Sequence, residues 1–166
     1  IRNTSTSMER IFVVEVMGRN SGFIAMQVAL AGGAEEVLVP ERKFDYESLC
    51  HDIVNGNLRG KVSWIIIVAE GAASAAEVSK QIQEMTELDV RVVTLGHIQR
   101  GGNPTARDRI LATRLGAASV DLILKNQFAK TVGLVGEDLK VIDTEVAIQK
   151  KKIEVDYFYK LIRVLT

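Results

Sequence analysis

The sequence predicts an α/β fold, three layers of α-β-α built around a mostly parallel sheet. Apolar blocks of strand length alternate with stretches of helical periodicity along the chain. The strand blocks are nearly all apolar, as strands covered on both faces must be. Glycine and proline punctuate the passages between them. The 166 residues suffice for one compact domain with its own core, and the whole of 1–166 reads as that domain.

The elements follow in order. Ile11 to Val16 is rich in β-branched residues and predicts a strand, after which Gly18 and Gly22 flank a turn. Phe23 to Ala31 predicts a helix with Ile24, Val28 and Ala31 at helical spacing, closed by Gly32-Gly33. Glu36 to Val39 reads as a strand ended by Pro40. Asp45 to Asn55 reads as a helix with Leu49 and Ile53 on one side. Trp64 to Ala69 is the clearest strand. Ser74 to Met85 is a helix capped by Ser74, with Glu77 three residues on. Val90 to Leu95 is a strand, Gly96 to Pro104 a loop, and Thr105 to Lys125 the longest helix, with Leu111, Leu115, Ala118 and Leu122 as its apolar stripe. Thr131 to Val135 and Leu139 to Ile142 are short strands around Gly136-Glu137-Asp138. Lys150 to Lys152 is a solvated charge run, and Asp156 to Leu165 a last helix.

Composition excludes several functions. Lys+Arg and Asp+Glu are both 21, so the net charge is zero. A general nucleic-acid or acidic-membrane binder carries a basic excess, so both are disfavoured. Aromatic residues at 5% are too few for base-stacking platforms. The single cysteine, Cys50, rules out an internal disulfide framework and suits a reducing cytoplasm. No apolar run approaches the roughly 20 residues that span a bilayer. The first residue is Ile1 and the first methionine Met8, so the chain reads as a partial polypeptide.

In sheets of this kind ligands sit beyond the carboxyl ends of the strands. That rule points at Met17 to Asn20, Pro40 to Arg42, Glu70 to Ala72 and Gly96 to Gly102. The last run, Gly96-His97-Ile98-Gln99-Arg100-Gly101-Gly102, combines backbone freedom with two donors, and an arginine fork suits a phosphate. The helix after Pro104 adds positive potential at its first turn. Met17 to Gly22 reads either as a phosphate-binding helix entry or as a plain tight turn; its spacing is neither a dinucleotide-binding nor a Walker pattern. Glu70 reads either as an acceptor for sugar hydroxyls or as a salt-bridge partner. Arg10 and Arg91 open the strands that lead to Met17 and His97. A six-residue strand spans roughly 20 Å, so each serves a neighbouring subunit or is a solvated flank. His51 beside Cys50 and Asp52 is not a ligand set, because adjacent residues do not converge on one metal.

Four runs then resemble 6-phosphofructokinases: Val13-Val14-Glu15-Val16-Met17-Gly18-Arg19, Ala31-Gly32-Gly33-Ala34-Glu35, Val68-Ala69-Glu70-Gly71, and Leu95 to Pro104 with Arg107-Asp108-Arg109-Ile110-Leu111-Ala112 behind it. The resemblance extends from about Arg2 to Gly136. It implies transfer of phosphate to the 1-hydroxyl of fructose 6-phosphate in the cytoplasm. Met17, Gly18 and Glu70 would contact the sugar. His97 and Arg100 would hold the 6-phosphate, joined by Arg10 and Arg91 from another subunit of a homodimer or homotetramer. Arg19 would approach the transferring phosphate and stabilise its charge. Arg2, Gly33, Glu35, Arg59 and Lys61 match the pattern of an effector site, Glu35 being a metal-linked ligand there. Phe23-Ile24-Ala25 departs from the Asp-Leu-Ala-like sequence of many regulated ATP-dependent bacterial enzymes and is similar to plant-type and pyrophosphate-using branches. The glycine-rich nucleotide loop and the Thr-Ile-Asp-x-Asp motif of the family's N-terminal lobe do not occur. The resemblance therefore implies the sugar-phosphate half of such an enzyme, with Mg²⁺ and ATP or pyrophosphate bound mainly by the other lobe. The alternative is a non-catalytic sugar-phosphate sensor.

Overall fold

A computed structural model describes residues 1–149 and 153–165; the Lys150 to Lys152 run lies outside them. The elements are α1 (Arg2–Met8), β1 (Ile11–Val16), α2 (Phe23–Gly32), β2 (Glu36–Leu38), α3 (Tyr46–Leu58), β3 (Trp64–Ala69), α4 (Ala75–Thr86), β4 (Val90–Thr94), α5 (Ala106–Leu124), β5 (Lys130–Val135), β6 (Asp138–Asp143), α6 (Thr144–Ala147) and α7 (Val155–Leu165). They fall into two compact units where the sequence reads as one: Ile1–Arg100 with Ile153–Thr166, and Gly101–Lys152.

The first unit is built on a four-stranded parallel sheet of order β2-β3-β1-β4. Side chains alternate across each strand, and the two resulting faces carry separate cores. Phe12, Val14 and Val16 of β1 pack with Ile65 and Ile67 of β3 under α2 and α7, through Ala25, Met26, Ala29 and Ile162. Ile11 and Val13 pack with Trp64, Ile66 and Val68 under α3 and α4, through Leu49, Ile53, Val78 and Ile82. This is the predicted three-layer architecture, with all four strands of the sheet parallel.

Local chemistry sets the element ends. The Asp45 and Ser74 side chains accept the N–H groups of Ser48 and Glu77 at 2.9 and 3.1 Å, capping α3 and α4. At the entry of α2 the Gly22 N–H donates to the Glu41 carboxylate at 2.9 Å. Glu9, in left-handed conformation, ends α1, an element without a sequence signal, and turns the chain into β1. The buried face of α2 differs from the expected one. Ala25, Met26 and Ala29 face the sheet, while Ile24 and Val28 are 41% and 37% exposed. Ala25 and Ala29 let the helix lie close on the strands, which outweighs the larger Ile24 and Val28 at helical spacing. On α7 the Tyr159 hydroxyl donates to the Val37 carbonyl, and the Arg42 guanidinium lies 4.1 Å from its ring centroid. Burial pushes the Tyr159 hydroxyl well above its ordinary value.

In the second unit Thr105 and Asp108 form a reciprocal capping box at the start of α5. Leu111, Leu115, Ala118 and Leu122 are the half-buried stripe the spacing predicts. β5 and β6 pair antiparallel as their own two-stranded sheet, from Lys130↔Asp143 to Val135↔Asp138. Arg114 of α5 donates to the Glu137 carbonyl at 2.6 Å, pinning the helix to the hairpin turn.

Ile66 is fully buried in the middle strand pair. Ile66→Ala is expected to cost about 2–5 kcal/mol through lost burial plus a cavity. Urea denaturation checks it; a loss under 1 kcal/mol (about half the lower bound) contradicts the core assignment.

Candidate functional site

The register of the sheet decides which side chains can meet. Val16 pairs with Ala69 and Glu15 with Thr94, so Met17, Glu70 and Leu95 leave the sheet side by side. The Glu70 N–H donates to the Val16 carbonyl at 3.0 Å and the Leu95 N–H to the Glu15 carbonyl at 3.2 Å. The ladder thus continues past the strand ends.

Glu70 turns its carboxylate onto the loop after β1. One oxygen accepts the Arg19 N–H at 2.7 Å and the Gly18 N–H at 3.0 Å. These bonds, the one from Arg19 foremost, hold the Glu70 carboxyl below its ordinary value, and the Arg100 and Arg19 guanidiniums lower it further. The carboxylate holds Arg19 at φ 51°, a left-handed conformation uncommon for a residue with a side chain. Gly71 completes the arrangement: a Cβ there would lie 1.9 Å from the Arg19 carbonyl oxygen. The sequence left Glu70 as a sugar ligand or a salt-bridge partner; its principal partners are backbone N–H groups.

The run from Gly96 to Gln99 is a short 3₁₀ turn where the sequence reads as a loop. The Arg100 N–H donates to the His97 carbonyl at 2.9 Å, and both side chains stand exposed. Gln99, which the sequence reading passed over, accepts the Met17 N–H at 3.4 Å. It joins the β1 loop to the β4 loop, and its place between His97 and Arg100 was the only signal. Gly101 and Gly102 follow at φ 88° each, a region costly for other residues. At α5, Asp108 accepts from the Thr105 N–H at 2.8 Å, so its own acid answers the positive potential of that first turn.

Arg10 and Arg91 meet at the opposite end of the strands. Ile11 pairs with Val90, and Asp89 lies between the two arginines, 3.1 Å from Arg10 Nε and 3.1 Å from Arg91 Nη2. A third cluster joins most of the remaining candidates. Arg2 donates to the Gly32 carbonyl at 3.0 Å and to that of Gly33. Glu35 lies 3.8 Å from Arg2 and 3.6 Å from Lys61, and accepts the Ile65 N–H at 2.6 Å. Glu35, Arg59 and Lys61 line a cavity of about 410 Å³ together with Trp64 and Arg163. His51 is exposed and touches Asn55. Among the described residues no group of three or more His, Cys, Asp or Glu stands close enough to hold a metal ion, and no helix is long and apolar enough to cross a membrane.

Comparison with known proteins gives these clusters a context. A family profile described as phosphofructokinase matches residues 1–123. The ATP-dependent 6-phosphofructokinase of Halothermothrix orenii is 46% identical over 178 residues, covering 100% of this chain and 54% of that protein. That of Bacillus thuringiensis is 46% identical over 161 residues, covering 95% and 50%. The chain spans about half the length of the curated relatives it matches. The structure of phosphofructokinase from Saccharomyces cerevisiae superposes with a TM-score of 0.78 at 31% identity, over 99% of this chain and 23% of that one. A pyrophosphate-dependent phosphofructokinase from Marinobacter aquaeolei gives 0.76 at 22% identity, over 93% and 46%, a likeness of fold alone. With the profile covering most of its length and the α/β sheet shared, this chain belongs to the phosphofructokinase family.

Proposed function

We propose that this chain is the fructose 6-phosphate-binding half of a 6-phosphofructokinase, which transfers phosphate from ATP or pyrophosphate to the sugar's 1-hydroxyl. The observation that carries the reading is Glu70, whose carboxylate organises Gly18 and Arg19 close enough to Arg100 for the guanidinium to lower its pKa. Met17, Gly18 and Glu70 contact the sugar. His97 and Arg100 receive the 6-phosphate, and Arg10 and Arg91 reach it from a second copy in a homo-oligomer. Arg19, the catalytic cation, faces the transferring phosphate, where a fixed positive charge stabilises the transition state.

Donor and Mg²⁺ belong to the complementary half in this reading. Mg²⁺ supplies charge neutralisation and is typically held by substrate phosphates plus one or two carboxylates. The chain's own residues grip and orient the acceptor. Arg2, Gly33, Glu35, Arg59 and Lys61 make up an effector site in this reading: Glu35, Arg59 and Lys61 line the cavity, and Arg2 lies against Glu35 and the Gly33 carbonyl.

Arg100→Ala is expected to weaken fructose 6-phosphate binding about tenfold or more, since a hydrogen bond to a charged group is worth roughly 1.5–3 kcal/mol. NMR titration of the chain measures it; unchanged affinity would remove Arg100 from the site.

The purified chain alone is expected to bind fructose 6-phosphate without turning it over. A coupled assay with ATP or pyrophosphate tests this, and sustained turnover would overturn the half-enzyme assignment. Binding with no turnover after the complementary half is supplied would favour a sensor.

Glu70 is expected to titrate below its ordinary value of 4.5. Because its folded pKa is depressed, the stability it contributes is complete above the unfolded pKa and is lost as pH falls through the folded one. The Gly18 and Arg19 amide signals should shift through the same midpoint. Glu70→Gln should abolish that step, and a midpoint at or above the ordinary value would contradict the hydrogen-bonded geometry.

A further inference from the structure

Asp89 is the point where two arginines from different strands converge. Its Oδ2 accepts a hydrogen bond from Arg91 Nη2 at 3.1 Å and lies 3.1 Å from Arg10 Nε. Both arginines stand on fixed backbone. The Arg10 carbonyl accepts from Ser5 Oγ at 2.8 Å and from the Trp64 N–H at 3.3 Å, and the Arg10 N–H donates to the Ser5 carbonyl at 3.2 Å. Arg91 is held in β4 opposite Phe12. Only side-chain torsions remain free, and Asp89 acts on both sets. Two guanidiniums brought together without a counter-charge repel each other. One carboxylate oxygen offsets that repulsion and engages a single nitrogen of each. A guanidinium carries five N–H donors, so each arginine keeps others for a second anion. The side chains of Arg10, Asp89 and Arg91 are 31%, 49% and 51% exposed, so the group is reachable from outside.

We propose that Asp89 is a positioning residue. It holds Arg10 and Arg91 as a preformed guanidinium pair that receives the phosphate of a sugar phosphate bound to a second copy. This rests on the reading above that assigns those arginines to the 6-phosphate. An ordinary exposed salt bridge contributes little to stability. Preorganisation acts on affinity instead, because two long side chains need not be immobilised on binding.

The test is NMR titration of the full chain with fructose 6-phosphate, alongside the Arg91 guanidinium N–H resonances and their exchange with water. Asp89→Asn, nearly isosteric, is expected to weaken binding about fivefold or more, the scale of re-immobilising two arginines. It should speed exchange of the Arg91 guanidinium N–H groups and leave the thermal midpoint almost unchanged. Asp89→Glu should recover part of the affinity. Arg10→Ala and Arg91→Ala separate the possible failures. If both weaken binding while Asp89→Asn binds as tightly as the parent or tighter, Asp89 merely neutralises the pair and the proposal falls, with the functional reading intact. If neither arginine variant weakens binding, the reading fails and takes the proposal with it. Should Asp89→Asn not fold, the parent chain still decides. At saturation the Arg91 guanidinium N–H bonded to Asp89 must keep its slow exchange; its release on binding would mean that phosphate displaces Asp89, contrary to a positioning role.

Discussion

The in-register parallel pairing of β1 with β3 and β4 is the constraint on which the rest depends. It sets Val16 against Ala69 and Glu15 against Thr94, so three loops leave the sheet at one level. A slip of one residue would exchange the two faces of β1 and move Met17 by about 3.3 Å relative to Glu70. The bonds from Glu70 to Gly18 and Arg19 could not survive it. The same register brings Glu15 to the start of α4, where its carboxylate accepts the Ala75 N–H at 2.8 Å. A charged residue is thereby tolerated in an otherwise apolar strand, and β1 is fixed against that helix.

Much of this was legible in the sequence. Trp64 to Ala69 is a strand over the predicted residues, and Ser74 caps the predicted helix. Apolar run length and cap chemistry are local, and local patterns survive folding. The face of α2 was not legible, because Ile24 and Val28 advertise a stripe that close approach denies them. Nor was the separation of the β5-β6 hairpin from the parallel sheet, since pairing partners are a matter of topology and not of composition. In the candidate site, the strand-end rule and the family resemblance together pointed to Glu70, Arg100 and the β1 loop. Gln99 and Asp89 escaped both. Each acts on another residue of the site, and a sequence shows types and spacings without showing who accepts whose hydrogen bond.

The candidate site and the Arg10-Arg91 pair lie at opposite ends of the same strands, and their electrostatics differ accordingly. At the carboxyl end one exposed carboxylate is surrounded by donors, which hold its pKa below the ordinary value. At the amino end one carboxylate stands between two guanidiniums, leaving a local positive excess. A chain with no net charge thus carries concentrated charge where neighbouring loops converge, and the apolar strands between keep the two groups apart.

The unit boundary falls between Arg100 and Gly101, and the chain returns to its first unit at Ile153. Residues 101–152 are therefore an insertion, entered and left within one host. Among the described residues, every buried member of the two hydrophobic cores lies in the host, Tyr159 and Ile162 beyond the insertion. Both cores of the host sheet are thus assembled from the host's own residues. For protein engineering, this makes the host a candidate minimal scaffold, with the 101–152 segment exchangeable for a short flexible linker and the closing helix retained.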